Sequence, residues 1–287
     1  MRVISRTALF CFTTEPMTDP APANAPGAEW NARAYNRLNN PMQTWGETVV
    51  QGLALRGDET ALDLGCGSGR LTEFLARRLP RGRVIAIDRS ANMLEAAREH
   101  LAPEFGQRVE YMQASLDELA LHQVADLAFS NAAFHWIRDH PRLLRGIFAA
   151  LRPGGWLVAQ CGAGPNIARV RERAGRLMAS DAYRAYFEGW PGPWEFAYPD
   201  VMAERLNAAG FVDVETSMFE GPFELSTFDE TRDFFENVIL GTHLARIPDP
   251  GLRAAFVQRM ADQSAADDPP YRMDYWRLNL RARRPSS

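Results

Sequence analysis

The segment Thr60–Leu71, TALDLGCGSGRL, sets three glycines at alternate positions between a short apolar run and a helical one. A strand, a glycine turn and a helix in that order open a parallel α/β fold, and they put whatever the loop holds at the carboxyl end of the strand. The spacing narrows what that can be. A dinucleotide fingerprint reads G-x-G-x-x-G, whereas Gly65, Gly67 and Gly69 read G-x-G-x-G, with Arg70 where that fingerprint has Gly or Ala. The chain contains no lysine, which excludes a G-x-x-x-x-G-K-[ST] phosphate loop. Asp63 lies two residues ahead of the first glycine, where a carboxylate repels a pyrophosphate and attracts a cation. The loop therefore suits a small ligand that brings an ammonium group and no phosphates.

The chain around this unit alternates regularly. RVIAID, 83–88, reads as a second buried strand ending on an acid, and Ser90 as the N-cap of a helix ANMLEAAREHLA. RVEYMQAS and ADLAFSN read as third and fourth strands. HPRLLRGIFAAL reads as a helix that stops at the Arg152-Pro153-Gly154-Gly155 turn before a fifth strand, WLVAQCG. Ahead of the first strand, residues 29–55 carry apolar and aromatic residues at helical spacing, broken at Asn40-Pro41, which predicts two short helices. The expected fold is α/β: a parallel sheet sandwiched between helices, with the ligand crevice at the carboxyl ends of the strands.

Asp88 completes the ligand description. It follows the glycine loop at about the spacing of a ribose-binding acid, and a carboxylate there can accept both hydrogens of a vicinal diol. An ammonium-friendly loop, a diol-binding acid and no phosphate device are all satisfied by a nucleoside attached to an amino acid.

LDLGCGSGRL, VIAIDRSANML and LRPGGWLVAQ, in that order and spacing, resemble the class I S-adenosylmethionine-dependent methyltransferases, in the small-molecule branch that includes trans-aconitate methyltransferase-like proteins. The resemblance covers Trp30 to Arg284 and implies S-adenosyl-L-methionine as cofactor. It implies that Asp63, Gly65, Cys66 and Gly67 surround the methionine moiety, with the loop backbone receiving the ammonium group. It places Asp88 on the ribose hydroxyls and Arg89 and Met93 near the adenine. Ser115 stands where many relatives have an Asp; a Ser hydroxyl can still accept from the adenine amino group, and the backbone N–H of Leu116 can reach the ring. Tyr35, Gln43 and Trp45 belong to a segment that folds over the cofactor in similar proteins.

FSNAAFHWIRDH, 129–140, leaves the fourth strand beside the expected methyl group. The resemblance gives Ser130 and Asn131 to the amino-acid end of the cofactor, and Phe134, His135 and Trp136 to the wall of the acceptor cavity. His135 is the one histidine of the predicted crevice able to take a proton from a hydroxyl or amine acceptor, whereas a carboxylate acceptor needs no base. His135 and His140 are five apart, which misses the i, i+4 geometry of a helical metal pair, and no metal is expected.

Beyond Gly162, two helical, aromatic-rich stretches near 163–198 and 226–270 read as lid insertions of a single domain, 29–284. Tyr183, Tyr186, Phe187, Trp190, Trp194 and Phe196 are divided between lining an acceptor pocket and filling the lid's own core. MDYWRLNLRARR resembles the last strand of the family, which enters antiparallel beside the sixth, so the resemblance implies a three-layer Rossmann-like fold around a mostly parallel seven-stranded sheet. Asp268-Pro269-Pro270-Tyr271 spells the tetrapeptide with which DNA amino-methyltransferases grip a flipped base, but it follows polar sequence instead of a buried strand and reads as a loop. A formal net charge of −4 gives no general basic surface for nucleic acid, and no apolar run approaches a membrane span. The use of arginine for every strong base reads as a GC-rich bacterial genome. Three scattered cysteines, Cys11, Cys66 and Cys161, suit a reducing cytoplasm. Residues 1–28 read as a disordered Pro/Ala leader, since the apolar stretch is too short for a secretion signal. The expected activity is methyl transfer to a small acceptor by a monomer or homodimer, with a non-catalytic cofactor-binding protein as the alternative.

Overall fold

The computed structural model describes residues 41–287. The leader, the first of the two helices predicted in 29–55, and Tyr35 lie outside the described residues.

Helix α1, Pro41–Gln51, follows the predicted break and leads to β1, Thr60–Leu64. Then come α2 (Arg70–Arg77), β2 (Arg83–Asp88), α3 (Ala91–Phe105), β3 (Val109–Gln113), β4 (Ala125–Asn131), α4 (His140–Ala150) and β5 (Leu151–Gly162). Ser90 caps α3 by accepting from the Met93 N–H at 3.2 Å, and Asp139 caps α4 by accepting from the Arg142 N–H at 2.9 Å. The sheet order is β3-β2-β1-β4-β5-β9-β6, in which β9 (Trp276–Arg283) runs antiparallel to both β5 and β6 (Val212–Glu220). The order reverses between β1 and β4, and a crevice for ligand opens at such a switch point.

Period-2 alternation decides which face each strand residue serves. Leu62, Leu64, Ile85 and Ile87 pack against Leu143, Leu144 and Ile147 of α4, with Met202 and Leu206 of α7 (Pro199–Ala208). Their neighbours Ala61, Val84 and Ala86 face the opposite way, onto Val50, Leu75 and Leu101 of the first three helices. Every residue of β1 is therefore buried, as a central parallel strand requires.

The two aromatic-rich stretches form α5 (Ala168–Met178), the single turn α6 (Arg184–Phe187), α8 (Phe228–Phe234), a π-helical turn Phe235–Ile239, α9 (Gly241–Leu244) and α10 (Pro250–Ala265). They share a core separate from the sheet's, with Phe234, Phe235 and Phe256 fully buried in it. The short strands β7 (Phe223–Glu224) and β8 (Arg272–Met273) pair beside it, and the Asp268–Tyr271 tetrapeptide is the loop into β8. No helix among the described residues is long and apolar enough to cross a membrane.

Candidate active site

All three loop glycines hold positive φ, for different reasons. A Cβ on Gly65 would meet the Ala133 Cβ at 2.4 Å, and one on Gly69 would meet Leu101 at 2.8 Å, so both positions are fixed by packing. A Cβ on Gly67 would meet nothing within 4 Å, because this residue borders the crevice itself. The N–H groups of Gly65 and Cys66 both donate to the Ile87 carbonyl, at 2.8 and 3.0 Å, and the Gly67 N–H donates to Asp88 Oδ2 at 2.9 Å. All three amides thus point at the end of β2. A loop that cradled a pyrophosphate would aim them at the ligand.

Two carboxylates converge on this end of the crevice. Asp63 is 2% exposed and accepts from the Thr72 hydroxyl at 2.6 Å. Burial, together with the nearby charge of Asp88, pushes its pKa up to about 7. Asp88 is half-buried, and each of its oxygens accepts one backbone N–H, from Gly67 and from Ser90, both at 2.9 Å. Those bonds fix its plane while each oxygen keeps a lone pair for a ligand hydroxyl. Burial raises its pKa against the pull of these bonds. A site with two partly desolvated carboxylates, whose first three loop amides are turned to the end of β2, gains most from a ligand that carries a cation and a diol, so the donor set fits S-adenosylmethionine.

The crevice is open to solvent and extends from the glycine loop to the helical insertions. It brings together Asp63, Gly65, Cys66, Gly67, Asp88, Arg89, Met93, Ser115, Leu116 and Asn131, with Gln43 from α1. Ser115 Oγ donates to Asp117, which leaves its own lone pairs as acceptors toward the crevice. Cys66 is buried and its thiol is pushed well up by burial, so it is an inert wall atom. Trp45 does not line the crevice; its ring lies over the Arg277 guanidinium, 5.2 Å from centre to carbon.

At β4 and its following turn, two expectations are corrected. Ser130 is buried and its hydroxyl donates to the Leu64 carbonyl at 2.7 Å, so it pins β4 to β1 and does not line the crevice. Phe134 is fully buried in the sheet core beneath the turn, away from the acceptor wall. His135 and Trp136 do reach the cavity. His135 Nδ1 accepts the Gly162 N–H at 3.2 Å, so in the neutral ring the proton sits on Nε2. Burial, then the charge of Arg277, lowers its pKa to about 3. The ring is held as a hydrogen-bond donor, and the base assigned to it from sequence is not what this geometry provides.

Trp194 and Phe196 line the cavity, stacked on one another with centroids 5.8 Å apart, whereas Tyr183, Tyr186, Phe187 and Trp190 go to the helical core. Arg277 was not foreseen. It is 0% exposed, borders the cavity, and its Nε and Nη2 donate to Gln160 Oε1 at 3.1 Å and Asn131 Oδ1 at 3.4 Å. In the sequence, Arg277, Asn279, Arg281 and Arg283 alternate as a polar strand face, and the first of them is covered by Trp45 of α1 beside Gln160 and Asn131.

A methyltransferase-domain family matches residues 61–155. The chain is 34% identical over 187 residues to trans-aconitate 2-methyltransferase of Paracidovorax citrulli, covering 64% of this chain and 65% of that one. It is 32% identical over 193 residues to the uncharacterized methyltransferase C70.08c of Schizosaccharomyces pombe, covering 63% of this chain and 70% of that one. The chain spans 65%, 58% and 63% of the first three curated relatives, all trans-aconitate 2-methyltransferases. Among solved structures, phosphoethanolamine N-methyltransferase 2 of Haemonchus contortus, in complex with phosphomonomethylethanolamine and S-adenosylhomocysteine, superimposes with a TM-score of 0.55 at 19% identity. That match covers 84% of this chain and 52% of the other, and it shows the shared fold.

Proposed function

We propose that this chain, which belongs to the class I S-adenosylmethionine-dependent methyltransferases, transfers a methyl group to a small organic acceptor by in-line displacement in the cytoplasm. The observation that carries the reading is the pairing of Asp63 and Asp88 in one crevice with a glycine loop whose first three amides are turned away from it. When bound, S-adenosylmethionine supplies a sulfonium methyl that is already electrophilic. Asp63 and the loop backbone hold the ammonium end. Asp88 accepts from the ribose hydroxyls, while Ser115, Leu116 and Met93 border the adenine.

The acceptor occupies the space among His135, Trp136, Trp194 and Phe196. These side chains exclude water, and His135 Nε2–H donates to a polar atom of the acceptor, orienting it without removing a proton. Holding two reactants in register and out of water supplies most of the rate in such a displacement. The name of the bacterial relatives supports an acceptor that carries a carboxylate, and a carboxylate attacks without a base. The buried, unpaired thiols Cys66 and Cys161 support a reducing compartment.

The test has two arms. Calorimetry is expected to show S-adenosylhomocysteine binding that is lost in Asp88→Ala. Incubation with methyl-labelled cofactor and pooled small metabolites is expected to give a labelled product. Binding unchanged in Asp88→Ala overturns the site assignment, and binding without labelled product from any acceptor supports the non-catalytic alternative.

A further inference from the structure

Two side chains at the insertion end of the crevice each keep one polar atom without a partner among the described residues. His135 Nδ1 accepts the Gly162 N–H, which leaves Nε2–H as a donor. Asn166, in the turn between β5 and α5, accepts the Trp276 N–H on Oδ1 at 2.9 Å. A backbone N–H can pair only with the oxygen of that amide, so the atom left over is the Nδ2 donor. Both residues line the crevice, and they are 8% and 3% exposed. Neither nitrogen is sealed off, because the sealed and unpartnered side-chain atoms among the described residues belong to Tyr111, Thr242, His243, Asp267 and Asp274. A donor held at a mostly buried position without an acceptor is costly, and native proteins keep few of them.

The two donors meet at Gly162. Its N–H holds His135, and a Cβ placed on it would come within 2.9 Å of Asn166 Nδ2. Gly162 pairs with Arg277 in the last rung between β5 and β9, and Trp276, which holds Asn166, is the first residue of β9. The end of one strand therefore fixes the imidazole and the start of its neighbour fixes the amide, each in the orientation that offers N–H. Charge at this end has a matching sign. The acids that line the crevice among the described residues are Asp63 and Asp88, both at the glycine loop. Arg277, fully buried and bonded to Gln160 and Asn131, adds a positive field from within the wall. An oxygen that only accepts hydrogen bonds is suited to such a place, whereas an ammonium group would find neither an acceptor nor a counter-charge.

We propose that Asn166 is a substrate-binding residue, forming with His135 a two-donor seat for an accepting oxygen group of the methyl acceptor, such as a carboxylate, and that this seat turns away molecules presenting an ammonium group there. This rests on the proposed division of the crevice into a cofactor end and an acceptor end. It gives acceptor choice to an amide whose orientation is set by the backbone of β9.

The experiment incubates the full chain at pH 8 with methyl-labelled S-adenosylmethionine and two metabolite pools, one of carboxylic acids and one of amines free of carboxylate, and follows S-adenosylhomocysteine binding by calorimetry. Label is expected in the acid pool alone. Asn166→Asp keeps an oxygen for the Trp276 N–H but replaces the donor with a second acceptor. It should raise the KM of the acid so labelled about 10- to 100-fold, the range of one hydrogen bond to a charged group, with S-adenosylhomocysteine affinity unchanged. Should the buried carboxylate prevent folding, Asn166→Ala should raise that KM to the same extent. Label in the amine pool, or an unchanged KM in either folded variant, overturns the inference and leaves the methyltransferase reading standing. Loss of S-adenosylhomocysteine affinity in a folded variant also overturns it, since Asn166 then serves the cofactor, and so does failure of both variants to fold, which makes the residue structural. Absence of label from both pools with S-adenosylhomocysteine bound supports the non-catalytic protein and overturns the methyl-transfer reading and the inference with it.

Discussion

Asp63 gives cofactor binding a definite pH dependence. In the free protein its carboxyl titrates at about 7, raised by burial and by the charge of Asp88. A bound ammonium group favours the ionised form and draws that pKa back toward the ordinary carboxylate range, so binding releases a proton wherever the free carboxyl is protonated. At pH 6 about nine in ten molecules would carry the proton, and affinity should be about tenfold weaker than above pH 8, which is about 1.4 kcal/mol per unit. Above the free pKa the affinity should level off. The assay is calorimetry of S-adenosylhomocysteine from pH 5.5 to 7.5 in buffers of different ionisation enthalpy, which reads affinity and proton release together. Asp63→Asn keeps the Thr72 hydrogen bond and should flatten the slope while weakening binding at neutral pH. Asp88, also raised, adds slope of the same sign, so the difference between the unaltered chain and Asp63→Asn isolates the Asp63 part. An affinity constant from pH 5.5 to 7.5, or uptake of protons on binding, would falsify the electrostatic account of the loop.

The same titrations act on stability. Without ligand, Asp63→Asn should melt above the unaltered chain at pH 8 and about equally at pH 4, because a carboxyl with a raised folded pKa costs stability as pH climbs from its unfolded value through 7; the limit is about 4 kcal/mol. His135 and His243, both held near 3 by burial, and His140, also lowered, work the other way: unfolding lets them take up protons below about 6.5. Two protons gained at His135 and His243 against one lost at Asp63 predict that urea stability falls by about 1.4 kcal/mol per pH unit between 6 and 4.5, with His140 adding in the same direction and a shallower fall in His243→Phe. His140 is fully buried between the Phe134 carbonyl and Arg205, at 3.1 and 2.7 Å. His140→Ala should therefore cost about 2–4 kcal/mol by opening a cavity and leaving that carbonyl and one Arg205 donor without their partner, Arg205 keeping Glu195, as measured by denaturant midpoints. Gly67→Ala should lower the melting temperature modestly for its positive φ but weaken S-adenosylhomocysteine at least about tenfold, since the new methyl enters the crevice. Unchanged affinity in Gly67→Ala would mean that the ligand does not approach this residue.

The cofactor end of this crevice was readable in the chain because each of its parts is local. Short apolar runs specify buried parallel strands, a period of two aims Asp63 and Asp88, and glycines mark the turn between them. The acceptor end is made of residues remote in sequence, and there the reading thinned. Ser130 and Asn131 adjoin at the end of β4, yet the strand's alternation sends one hydroxyl to the Leu64 carbonyl and the other side chain to the crevice. Trp194 and Phe196 pack against the same helical core as Trp190 and Phe187, and only the course of the chain past the crevice makes the first two line it. Arg277 carries the pattern of a solvent-facing arginine, and one of the groups that covers it, Trp45, lies more than 220 residues earlier in the chain.

The rung shared by Gly162 and Arg277 separates what is rigid in the acceptor chamber from what can vary. Its polar groups are tied to the scaffold of hydrogen-bonded strands, while Trp194 and Phe196 come from the irregular segment before α7 and Val238 and Ile239 from the π-helical turn. Change in those two segments can therefore reshape this end of the crevice while the strand ends and the glycine loop keep their places.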